Sequence, residues 1–244
     1  MGKPLSQDLM SSDFGTAEVI PPRSIEQCRN LLNDLLETEP AELGRKDLGL
    51  LNLLCAPSLP GSENLDIPKC LARLDQLAGF VKASTERNLY RFKGDPDFGH
   101  SEPMWRMALL VTNVKLDFGA AYDPAVRADL ERDGRSPFAD SRNAFIHGLL
   151  SDDAKRRWGS CSSIPVLVAA VARRLGYPVR LAVNRKHIWL RWDDGRGVSF
   201  NVTACPLVAV SLKNMTPICP APSRSESATS TVATGPWLTT SGRW

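Results

Sequence analysis

A chain of 244 residues with 43% hydrophobic side chains is long enough for one good-sized domain or two small ones and can fill a core. Its 30 basic and 27 acidic side chains leave a formal charge of +3, far below what a phosphate-tracking surface needs, so charge gives no support to nucleic-acid binding. No stretch approaches the ~18 consecutive apolar residues of a membrane span, and the N-terminus lacks the apolar run of a secretion signal. Together these predict a cytoplasmic protein with no membrane partner.

Residues 1–23 are polar, contain Pro and Ser, and show no sustained periodicity, which predicts disorder. A helical region is expected over 24–120. It opens with "SIEQCRNLLNDLLE", where Ser24 is a candidate N-cap and Ile25, Cys28, Leu31, Leu32 and Leu35 recur at helical spacing. A second helical stretch, "KDLGLLNLLCA", runs into the turn-forming "PSLPGSENLD". Asp66 can then cap a long helix in which Cys70, Leu71, Leu74, Leu77, Ala78 and Val81 make an apolar stripe, with Pro68 acceptable in the first turn. "SEPMWRMALLVTNVKLDFG" reads as a fourth helix, capped by Ser101 and stopped by Gly119.

Past a polar linker the pattern changes, and residues 121–210 are expected to form a core of helix and strands. "NAFIHGLL" is a short helical segment, and "IPVLVAAVARRLG" is a helix ended by Gly176 with Pro178 beyond it. Three strand-like runs follow: "VRLAVN", "HIWLRW" and "VSFNVTA", the last two joined by the hairpin signal "DDGRG". Helix followed by antiparallel strands predicts an α+β unit. The tail 217–244 is rich in Ser, Thr and Pro, and disorder is expected there.

The six cysteines, Cys28, Cys55, Cys70, Cys161, Cys205 and Cys219, are scattered without a C-x-x-C pair, and the three histidines are dispersed. No metal site, cofactor or compact disulfide framework is indicated. Sequons at Asn201 and Asn214 matter only in a secreted protein.

One constellation carries chemistry. Cys161 follows a Gly-Ser turn and precedes the apolar helix, where unpaired backbone N–H groups and the macrodipole favour a thiolate. A nucleophilic cysteine needs an imidazole, and His187 opens a strand that returns past the start of that helix. An acceptor must hold the imidazole, and Asn201, after the hairpin turn, is placed to lie opposite His187. By period-2 alternation His187, Trp189 and Arg191 share one face with Ser199, Asn201 and Thr203, while Ile188, Leu190 and Trp192 share the other. Each residue also has a plain reading: a packed thiol, an exposed strand-end histidine, a surface asparagine.

The run "GSCSSIPVLVAAVARRLGYPVRLAVNRKHIWLRW" followed by "FNV" resembles the bacterial transglutaminase-like superfamily, over about 150–204. The leucine-rich helix, the Pro/Gly turn and the "LARLDQLA" helix upstream, with "FIHGLL", extend the likeness to about 45–204. The resemblance implies a papain-like α+β fold with Cys161 as nucleophile, His187 as general base and Asn201 as orienting residue. It implies attack on an amide or ester carbonyl of a protein or peptide, with hydrolysis ahead of cross-linking. Asn201 stands where many relatives carry Asp, and the text after Cys205 departs from the family. The backbone N–H of Cys161 is the natural first oxyanion donor, with Trp158 and His147 as candidates for the second. The competing reading is a catalytically silent peptide- or protein-binding scaffold of the same fold.

Overall fold

In a computed structural model that describes residues 21–94, 101–126, 137–184 and 187–204, helices fill the first half of the chain and an antiparallel sheet closes it, an α+β arrangement. Helix α1 (Ile25–Leu36) starts where Ser24 accepts a hydrogen bond from the Gln27 N–H at 3.1 Å. After the short α2 (Pro40–Leu43), Asp47 caps α3 (Leu48–Leu54) by accepting from the Leu50 N–H at 3.0 Å. Asp66 caps α4 (Ile67–Gly94) in the same way through Lys69, and Leu74, Leu77, Ala78 and Val81 bury one stripe of it. Helix α5 (Glu102–Thr112) passes into a π-helical turn, Asn113–Asp117, instead of continuing as one helix to Gly119.

A two-residue strand β1 (Ala121–Tyr122) pairs in parallel with β2 (Trp158–Gly159), a contact too short to announce itself by alternation. The segment expected as one helix over 143–150 is broken. Helix α6 (Ser141–Ala144) stops at an extended Phe145, and a 3-10 turn, Ile146–Gly148, follows. Gly148 lies so close to the Arg142 carbonyl that a Cβ would approach within 2.2 Å, which only glycine permits.

Helix α7 (Ser163–Arg174) is the centre of the molecule. Every residue from Ser163 to Ala172 is buried, because α3, α4 and α5 pack on some sides and the sheet on another. It ends in a Schellman motif: the Gly176 N–H donates to Arg173 and the Tyr177 N–H to Ala172, both at 3.0 Å, with Gly176 at φ +73°. Strands β3 (Val179–Val183), β4 (Ile188–Asp193) and β5 (Ser199–Val202) form an antiparallel sheet in that order. Leu190, Trp192, Phe200 and Val202 bury one face of it and join the same core as Leu53, Leu74 and Leu110. Among the described residues no helix is long and apolar enough to cross a membrane. Residues 1–20 and 205–244, with Cys205, Cys219, Asn214 and the tail 217–244, lie outside the described residues; of the segment 1–23 expected to be disordered, residues 21–23 are described and Pro22 is buried.

Candidate functional site

Cys161 sits one residue before Ser162, the N-cap of α7, and is half-buried, whereas Cys28 and Cys70 are sealed in the core. Burial pushes the Cys70 thiol up to about 11, so Cys70 is a packing residue. The turn that carries Cys161 is held by hydroxyls. Ser160 and Ser163 are both fully buried, and both donate to one acceptor, the Asn143 carbonyl, at 2.7 and 3.1 Å. The Ser160 N–H donates to Ser163 Oγ at 2.9 Å and the Ser162 N–H to Ser160 Oγ at 3.2 Å. Since Ser160 spends its only proton on Asn143, the 2.7 Å contact between Ser160 Oγ and Ser162 Oγ has Ser162 as donor. Gly159 is required beneath this turn, because a Cβ there would meet Ser163 Oγ at 2.5 Å and Leu149 at 2.9 Å.

His187 lies just before β4 and is half-buried. Helix α7, about 18 Å long, is followed by β3, about 16 Å long, and packs against both β3 and β4. Asn184 fastens that corner: its N–H donates to the His187 carbonyl at 3.0 Å and its side-chain oxygen accepts from the His187 N–H at 2.8 Å. The His187 ring stacks beside Trp189, with centroids 6.4 Å apart. It therefore belongs to the sheet face opposite the one that Leu190 and Trp192 bury against α7. Among the described residues no hydrogen bond joins it to Cys161.

Asn201 requires a correction. The hairpin pairs Asp193 with Ser199, and the ladder then sets Asn201 opposite Arg191, not opposite His187. Its side-chain oxygen accepts from the Arg191 guanidinium at 3.4 Å, and Ser199 accepts from the same group at 3.3 Å. Asn201 does share a face with His187, as alternation requires, but lies four residues too far along the ladder to orient it. Ser160, Ser163, Asn143 and Asn184 are the residues that sequence reasoning passed over. The serines flanking Cys161 were a visible signal, whereas Asn143 acts through its backbone and had none.

An open cleft of about 900 Å³ lies between the residues after α3, the start of α4, α6 and the segment before β2, and Cys161, His187 and Asn201 are not among the residues that line it. Trp158, 44% exposed, stands on its rim, and Asn143 and His147 line it. The carboxylates around it are engaged: Asp140 with Arg142, Asp152 with Lys69 and Arg73, and Asp123 with the Ala125 N–H. His147 has Nε2 3.3 Å from Ser141 Oγ and a buried Nδ1 without a partner among the described residues, and burial holds its pKa below the usual histidine value. Among the described residues no cluster of three or more His, Cys, Asp or Glu could hold a metal. Compared with family models, curated proteins and solved structures, the chain matches none of them.

Proposed function

We propose that this chain is a thiol acyl-transfer protein with a papain-like, transglutaminase-like core, in which Cys161 attacks an amide or ester carbonyl of a protein or peptide. The observation that carries the reading is a half-buried cysteine in a turn held by buried hydroxyls immediately before helix α7. In the reaction His187 takes the Cys161 proton and the sulfur adds to the carbonyl carbon. The Cys161 N–H faces the developing oxyanion, and collapse expels the amine or alcohol, which receives the proton. Water then adds to the thioester, releasing the acid and restoring the thiol. Asn201, engaged by Arg191, has no part in this step.

A second reading is favoured by one observation: the His187 ring lies with Trp189 on the sheet face turned away from α7. That arrangement suits a catalytically silent scaffold that binds a protein or peptide. The pH dependence of iodoacetamide labelling at Cys161, mapped by mass spectrometry in the parent and in His187→Ala, separates the two. A working pair gives a midpoint well below the roughly 8.5 of a free thiol, and the midpoint rises when His187 is removed. An ordinary midpoint indifferent to His187 selects the scaffold.

A further inference from the structure

We propose that Ser160 and Ser163 are positioning residues for Cys161: clamped together on the Asn143 carbonyl, their hydroxyls hold the turn that presents the thiol and set its reactivity without touching it. The inference rests on the reading of Cys161 as nucleophile. The two hydroxyls have no exposed surface, and a buried hydroxyl is costly unless it is paired. A buried, fully bonded hydroxyl adds little net stability but prescribes a direction. Here four directions converge. Ser163 receives the Ser160 N–H and donates to Asn143, while Ser160 receives the Ser162 N–H and donates to the same carbonyl. Both lone pairs of the Asn143 oxygen are thereby used, and the backbone on either side of Cys161 is tied to an anchor outside its own helix.

The anchor itself is fixed. The Ser141 N–H at the start of α6 donates to the Pro60 carbonyl at 2.8 Å, and just after α6 the Ile146 N–H donates to the Asn52 side chain of α3 at 2.9 Å. Cys161 is thus located relative to α3 by a chain of hydrogen bonds that passes through α6 and the two serines. Freed of the clamp, the turn that carries Cys161 is no longer tied to that anchor.

The test compares Cys161 labelling by iodoacetamide from pH 5 to 10 in the full-length parent, Ser160→Ala and Ser163→Ala, with the melting curve of each. Both variants are expected to melt cooperatively, while their labelling midpoint rises by about one pH unit and the rate at pH 7 falls roughly tenfold. Folded variants that keep the parent's midpoint and rate would overturn the clamp and leave the nucleophile reading intact. Loss of cooperative melting in both would also overturn it, since the serines would then be requirements of the fold. A parent thiol with an ordinary midpoint, indifferent to His187→Ala, would remove the nucleophile reading and the clamp with it.

Discussion

Cys70 and Cys161 are chemically the same residue in opposite surroundings, one buried and one half-open. Cys70 lies on the buried stripe of α4, and burial raises its pKa to about 11, so the folded protein favours the neutral thiol. A raised folded pKa gives stability that is complete below the unfolded value of about 8.5 and is lost as pH climbs towards 11, by up to roughly 3 kcal/mol. Cys70→Ala is therefore expected to cost about 1 kcal/mol at pH 8 and to be neutral or stabilising at pH 10.5, as read by urea unfolding at the two pH values. A cost that stayed constant across that range would show that the Cys70 thiol ionises in the fold as readily as in the unfolded chain, so that burial does not raise its pKa. Cys161, half-open before α7, escapes this burial, which is why the labelling experiment is directed there.

Among the elements, α7 is held in place by what surrounds its ends as much as by its apolar body. At its far end Arg174, with only 14% of its side chain exposed, reaches Asp47 at 2.6 Å and Asp75 at 2.7 Å, tying α7 to α3 and α4. Asp47 does two jobs, since the same carboxylate caps α3. Asp47→Ala removes the cap and one partner of a largely buried guanidinium, and should cost about 1–3 kcal/mol in urea unfolding. Asp47→Asn, which keeps a capping oxygen without the charge, should recover about 1 kcal/mol of it. Equal losses in the two variants would mean that the ion pair, not the cap, carries the effect.

For the whole molecule, the helices before residue 120 and the strands after 179 share one core with α7 between them. Leu167, fully buried on α7 where the layers meet, shows the consequence. Leu167→Ala should cost about 2–5 kcal/mol, and tryptophan fluorescence and far-UV circular dichroism should shift together along a single transition. Separate transitions would show that the helical region and the sheet fold independently. The boundary drawn at residue 120 marks a change of pattern in the chain, and the buried side chains cross it.

Periodicity and local chemistry made the elements legible. Ser24, Asp66 and Ser101 cap helices because a side-chain oxygen at that spacing meets a free N–H, and Gly176 ends α7 because its φ of +73° suits glycine. Alternation along "HIWLRW" and "VSFNV" correctly assigned the faces of the hairpin, because the strand period is a local property. The local pattern did not say which face would meet α7 or where the ladder would begin. The apolar face went to the helix, so the His187 face turned away from it, and the hairpin loop set Asn201 against Arg191. The clamp on Cys161 was likewise invisible in the chain, because its acceptor is a backbone carbonyl 17 residues before Ser160, and only tertiary packing brings that oxygen to two serine hydroxyls.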